Sequence, residues 1–235
     1  GDSSAAVIVG RPHAMPRPPA PPPSPPSEPR SRDAERSRQA ILDAARVTFA
    51  EHGLGGTRLD AVAARAGVDK RLVYYYFKNK ESLFLAALED VYMGIRNAEA
   101  DLHLEALEPI DAIKRLIDFT WRYYLDHPEF IALINSENLH RARHLAQSKR
   151  ILEMHSPLVA TLGALLERGR AQGLFRGGVD PQQLYISLAG LSYFYLSNRH
   201  TLSVIFGRPV DAPKALAERL AHVHEGAQGG HVTAA

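Results

Sequence analysis

The stretch "LDAVAARAGVDKRLVYYYFKNKES", Leu59 to Ser82, reads as two short helices joined by a tight bend. Its first half is a run of helix formers that stops at Gly67, the residue best able to take the left-handed conformation a bend requires. Asp69 then offers an oxygen suited to capping the next helix, and Asn79 does the same for another. Upstream, Thr57 with Asp60 three residues on forms a capping-box pattern, which predicts the start of the first of these helices there. Within "KRLVYYYF", Val73 and Phe77 stand four apart on one helical face, while Tyr74, Tyr75 and Tyr76 point in other directions. Packing alone does not need all three tyrosines. Rings tipped with hydroxyls can lie against sugar and reach phosphate, and Lys70, Arg71, Lys78 and Lys80 surround them with positive charge.

On either side of this stretch the pattern stays helical. Ile41, Leu42, Ala45, Phe49 and Leu54 give an apolar face to a preceding helix that "EHG" ends near Gly53. Leu83, Phe84, Ala87, Leu88 and Val91 do the same for a following helix reaching about Leu102. Further helices are predicted near 110 to 126, 128 to 145, 149 to 172, 181 to 205 and 211 to 224. With no strand pattern and no internal repeat, the expected class is all-α, with about nine helices. Residues 12 to 29 carry most of the proline, which predicts a disordered N-terminal arm over 1–30.

The net charge of +2 over 235 residues is too mild to announce a partner, but its distribution is informative. Between Arg30 and Lys80 there are eleven Lys or Arg against six acids, a local charge of +5 and the footprint expected of phosphate binding. The absence of cysteine excludes disulfides, thiolate metal sites and a cysteine nucleophile. No apolar run approaches the length of a membrane helix. No nucleophile elbow, phosphate loop or zinc-protease motif occurs, so nothing points to an enzyme and no cofactor is expected.

The two helices joined by "AGVD" match a helix-turn-helix, whose second helix presents its N-terminal residues to a DNA major groove. From Ile41 to Phe84, "ILDAARVTFAEHGLGGTRLDAVAARAGVDKRLVYYYFKNKESLF" resembles the TetR family of transcriptional regulators, with "AGV", the aromatic run and "FKNKE" in register. The resemblance implies a DNA-binding domain over 31–80 and a ligand-binding and dimerisation domain over 81–235. It places Thr57 and Arg58 where the second helix meets the phosphate backbone, and Lys70, Arg71 and Leu72 at the start of the recognition helix. Tyr74 and Tyr75 fall on positions that touch bases or phosphates, and Tyr76 and Lys80 on backbone contacts. Arg71 and Leu72 depart from the small residues common there; Arg71 can contact guanine bidentately and Leu72 a thymine methyl, so base preference is individual.

The second half yields layout more readily than chemistry. The resemblance implies a cavity whose candidate liners are Trp121, Tyr124, Phe130, Ile134, Asn138, Met154, His155, Leu158 and Tyr193, with Asn135 as a further polar group; for each, plain core packing is the competing reading. Glu137, His140 and His144, at i, i+3 and i+7, form a weak metal candidate against a solvated basic face. Ser187, Ala189, Gly190 and Ser192 permit close approach of another helix, which with "PKALAERLAHVHE" suits the family's four-helix dimer interface, or else the closing of the monomer's own core. The expectation is therefore a cytoplasmic homodimer that binds double-stranded DNA at a palindromic operator and is released by an unknown small-molecule effector. Repression is its expected sense, with activation the alternative. A carrier without DNA and a nucleoid-type binder without a ligand are the competing functions; the first leaves the +5 segment unused, and the second predicts no cavity.

Overall fold

The computed structural model of the protein describes residues 28–227, so the proline-rich arm lies outside the described residues except for its last three positions. Ten α-helices follow in order: α1 (Glu28–Gly56), α2 (Leu59–Ala66), α3 (Lys70–Phe77), α4 (Lys80–Ala100), α5 (Pro109–Asp126), α6 (Pro128–Leu139), α7 (Lys149–Ala171), α8 (Pro181–Ser197), α9 (Arg199–Ile205) and α10 (Pro213–Gly226). The all-α class expected from the sequence is what forms. One helix more than expected arises because the span from 181 to 205 breaks at Asn198, whose backbone leaves helical geometry (φ −103°, ψ 13°) and whose Nδ2 donates to the Phe194 carbonyl at 2.8 Å.

Three boundaries differ from the sequence reading for identifiable reasons. Helical geometry in α1 is interrupted at Gly53 (φ 66°, ψ 178°), and one short turn continues to Gly56. The capping box at Thr57 does not form: Arg58 is the N-cap of α2, without a side-chain bond. The Thr57 hydroxyl instead donates to the Gly53 carbonyl at 2.7 Å and turns inward, buried against the end of α1. Finally, α6 stops at Leu139, not near 145, because the Glu137 carboxylate accepts the backbone N–H groups of His144 (2.9 Å) and Leu145 (3.0 Å). The chain therefore curls back over the helix end, with Arg141 and Ala142 at positive φ (58° and 55°).

Two apolar clusters hold the helices. The first joins Ile41, Phe49, Val62, Val73, Phe77 and Phe84 from α1 to α4 with Trp121, Tyr124, Phe130, Leu133 and Leu196 from α5, α6 and α8. The second lies under α5, α7, α8 and α10, around Ile117, Leu162, Leu165, Phe175, Leu188 and Val223. Helix α1 packs on α2, α4 and α6, so the N-terminal helices rest directly on the second half as well as being joined to it through α4. Phe49 meets Phe84 edge to face at 5.0 Å, and Phe84 meets the His144 ring the same way at 5.0 Å, a stack running from α1 through α4 to the loop after α6.

Candidate nucleic-acid interface and ligand groove

The bend between α2 and α3 forms as its residues dictate. Gly67 sits at φ 68°, and its N–H reaches the Ala63 and Ala64 carbonyls, closing α2. Asp69 accepts the Arg71 N–H at 2.8 Å and starts α3; Asn79 accepts the Ser82 N–H at 2.8 Å and starts α4. Lys78 ends α3 at φ 63°, a conformation uncommon for a residue with a side chain. Val73 and Phe77 are buried, anchoring α3 from one side, and the Arg38 guanidinium lies 5.2 Å from the centre of the Phe77 ring.

The outer face of α3 carries the groups expected to meet DNA, with distinctions the sequence did not make. The Arg71 side chain is 93% exposed and Tyr75 77%, Tyr74 is exposed as well, and Arg58 at the start of α2 is exposed, 3.9 Å from the Asp60 carboxylate. Lys70, by contrast, is engaged with Asp60 of α2 at 2.5 Å, which raises its pKa and lowers that of Asp60 through their shared hydrogen bond. Leu72 and Tyr76 are half-buried against the core, so the contact expected of Leu72 with a thymine methyl is available only to the part of it that remains outside. Thr57 is a correction: its buried side chain offers nothing to a phosphate. The Lys80 ammonium lies 3.3 Å from the Thr57 carbonyl, at the junction of α2 and α4.

Of the expected cavity liners, Trp121, Tyr124 and Phe130 are buried in the first core, Tyr124 stacking on Phe130 at 5.6 Å, and Ile134 packs beside them. Tyr193 donates its hydroxyl to Asn135 Oδ1 at 2.6 Å, tying α8 to α6. Asn138 is exposed at the end of α6 and lines none of this space. The His155 side chain lies outside the described residues. Met154 and Leu158 do line a groove of about 490 Å³ between α4 and α7, together with Met93, Arg96, Glu99 and Thr161.

The charged floor of that groove escaped the sequence reading. Arg96 donates to the Glu99 carboxylate and, at 2.8 Å, to the Tyr185 hydroxyl; Arg96 and Glu99 are both buried, and the Arg96 Nε has no partner. Burial works against the charge on Arg96, but Glu99 and Tyr185 more than offset it and its pKa is raised. Burial pushes the Glu99 carboxyl up to about 7, against the pull of Arg96. The nearby hydroxyls of Tyr92, Tyr124 and Tyr185 are pushed up by burial as well, and so stay protonated. A signal was present in the sequence: Glu99 continues the apolar register of Leu88, Val91 and Ile95, where a charge is out of place unless paired.

The metal candidate resolves into an internal network. His144 is buried, with Nδ1 2.6 Å from Glu137 Oε2 and Nε2 2.6 Å from Glu81 Oε2, while His140 Nδ1 turns to the Ser136 carbonyl. Among the described residues no three His, Asp or Glu side chains are placed to hold a metal ion. On α8, Ile186, Gly190 and Phe194 form an exposed stripe, with open space where a Gly190 side chain would project. Val204 and Ile205 at the end of α9 and Phe206 just after it are exposed as well. Ser192 faces inward and is fully buried, and α10 turns Val223 into the second core, so of the two helices expected at an interface it is α8 that keeps large apolar side chains exposed.

Family models match both halves: residues 41–87 match bacterial regulatory proteins of the tetR family, and 109–226 match the tetracyclin repressor-like C-terminal domain. The HTH-type transcriptional repressor NicS of Pseudomonas putida is 37% identical over 196 residues, covering 83% of this chain and 92% of that protein. The HTH-type transcriptional regulator RutR of Escherichia coli is 32% identical over 172 residues, 71% of this chain and 76% of that one. Among solved structures, the fatty acid degradation regulator FadR of Bacillus halodurans superposes with a TM-score of 0.63 at 21% identity, covering 82% and 94% of the two chains. A TetR family regulator from Marinobacter aquaeolei gives 0.62 at 20% identity, with 88% and 100% coverage.

Proposed function

This chain belongs to the tetR family of bacterial regulatory proteins, and from that premise we propose that it is a cytoplasmic repressor that binds a palindromic operator as a homodimer and leaves it when a small-molecule effector binds the second half. The observation that carries the reading is the outer face of α3, where Arg71, Tyr74 and Tyr75 stand exposed while Val73 and Phe77 fix the helix from behind. An exposed aromatic pair beside an arginine whose ion pair with Asp69, at 3.6 Å, is itself solvent-exposed is costly surface for a helix with only a structural task. The repressor sense is supported by the name of the 37% identical relative. The dimer is supported by the exposed stripe Ile186, Gly190, Phe194 on α8, and a two-fold axis there would set two recognition helices on successive major grooves.

Release by an effector follows by linkage if the ligand binds better to a conformation whose two DNA-binding halves are wrongly spaced. Helix α4 spans from the DNA-binding junction at Lys80 to the groove at Arg96 and Glu99, which makes it the lever. Fluorescence anisotropy with labelled DNA from upstream of the protein's own gene tests the reading. Arg71→Ala should cost about 1–3 kcal/mol on the operator and relax preference at one base pair, while Lys80→Ala should weaken all DNA about equally. If both variants bind operator and random DNA as the parent does, α3 is not the recognition helix.

A further inference from the structure

The Arg96 cluster is an unusual thing to find under a groove. A guanidinium whose side chain is 7% exposed needs all its N–H groups satisfied, yet Nε has no partner and the other nitrogens share one carboxylate and one tyrosine hydroxyl. The titratable groups facing it come from several elements: Tyr92 and Glu99 on α4, Tyr124 on α5, Tyr185 on α8, and Glu105 on the 3-10 turn at Leu104–Ala106 that lines the same groove. Among the described side chains, those that α7 contributes to the groove, Met154, Pro157, Leu158 and Thr161, carry no charge, and Met93, Ala100 and Leu104 add apolar surface. The chemistry on offer is a buried cation with spare donor capacity, beneath a largely aliphatic slot of about 490 Å³.

We propose that the effector is a small organic carboxylate, bound with its anionic group on Arg96 and its apolar body between α4 and α7. This rests on the reading of the second half as an effector domain, and supplies the ligand class that reading leaves open. A planar carboxylate matches a guanidinium bidentately and gives Nε the acceptor it lacks. The built-in obstacle is Glu99, which already occupies part of Arg96 and would stand beside the incoming anion. A proton taken from solvent by the Glu99 carboxyl removes that repulsion, and turns Glu99 into a donor to the ligand's second oxygen. With the Glu99 carboxyl held near 7 in the free protein, this uptake is cheap at neutral pH. Binding an anion and binding a proton are then one coupled event. Affinity should fall about tenfold per pH unit above about 7, because the free site must first gain the proton.

The test is isothermal titration calorimetry on the full chain, with benzoate and hexanoate as acid probes and benzamide and hexanamide as their neutral counterparts. The two acids separate an aromatic from an aliphatic source of the carboxylate. The expected result is binding of at least one acid and neither amide, with uptake of a proton seen as a dependence of the heat on the buffer's ionisation enthalpy. Arg96→Gln should abolish it. Should that variant fold poorly, Glu99→Gln keeps the question open to refutation: it should bind the acid at least as tightly as the parent, with the pH dependence and the proton uptake both gone. Amide binding equal to acid binding, acid binding that survives Arg96→Gln, or no acid binding at millimolar concentration overturns the assignment. A parallel anisotropy titration with operator DNA separates the two claims. Acid that binds through Arg96 yet leaves operator affinity unchanged supports the carboxylate site and refutes the effector role.

Discussion

Replacing His144 with Phe tests whether the loop after α6 is pinned to α4 by hydrogen bonds or merely packed there. Phenylalanine keeps a ring against Phe84, so the edge-to-face contact at 5.0 Å survives while both nitrogens disappear. What goes is one bond to Glu137, itself 2% exposed, and one to Glu81, whose side chain is 53% exposed. Both contacts are 2.6 Å, each putting one ring nitrogen within hydrogen-bond reach of a carboxylate oxygen. The buried, charge-assisted bond to Glu137 is worth about 1.5–3 kcal/mol. Glu137 retains the backbone N–H groups of His144 and Leu145, which limits the penalty for the carboxylate left behind. The bond to the half-exposed Glu81 is screened by water and contributes under about 1 kcal/mol. The expected loss is therefore roughly 2–4 kcal/mol, or roughly 5–15 °C in Tm for a chain of this size. Urea unfolding followed by circular dichroism should show a lower midpoint with an unchanged slope. Glu81→Gln, measured alongside, should cost under about 1 kcal/mol. A His144→Phe variant within about 0.5 kcal/mol of the parent, or a Glu81 variant as damaged as the His144 one, refutes the reasoning.

Removing the cap of α4 with Asn79→Ala should cost about 1 kcal/mol in urea unfolding, since one N-terminal N–H loses its acceptor. Gly169→Ala should destabilise by about 1–3 kcal/mol in thermal melts, because its Cβ would lie 2.1 Å from the buried Phe175 ring. Folded Glu99 holds its proton to about pH 7, above the ordinary carboxyl value of 4.5. Between those two values the folded state binds the extra proton, so this group's contribution to stability declines as pH rises through the window and levels off above it. Unfolding free energies across that range should lose this part of their slope in Glu99→Gln, and an unchanged slope would show that the group does not titrate there.

Most of the helices and the whole bend between α2 and α3 were legible because each rests on local chemistry: Gly67 at positive φ, Asp69 and Asn79 as caps, Val73 and Phe77 at helical spacing. The misreadings involve long-range partners. Thr57 matches a capping box locally, but its hydroxyl finds α1 carbonyls, one of them nine residues back at Thr48. The end of α6 is set by a carboxylate folding the following loop over itself, and no residue in that loop is a strong helix breaker. In the candidate interface, exposure of Arg71 and Tyr75 follows from periodicity alone. The engagement of Lys70 by Asp60 does not, since it depends on how α2 and α3 cross. Glu99 left a faint signal in its apolar register, but the cluster it forms with Arg96 was not legible, since Tyr185, which completes it, is 89 residues from Arg96.

The first apolar cluster runs without a break from Ile41 and Val73 to Phe130 and Leu196. A boundary drawn after Lys80 therefore cuts through a packed interior. A chimera that grafts the first eighty residues onto a relative's second half seats the first three helices on a foreign bed, with α1 pressed against an α6 it never matched. On the proposed reading of α3, specificity is better transplanted by exchanging the exposed Arg71, Tyr74 and Tyr75 on its surface than by exchanging the module, because those three side chains lie outside the buried core. For reprogramming such a regulator, the exchangeable unit is a helix face.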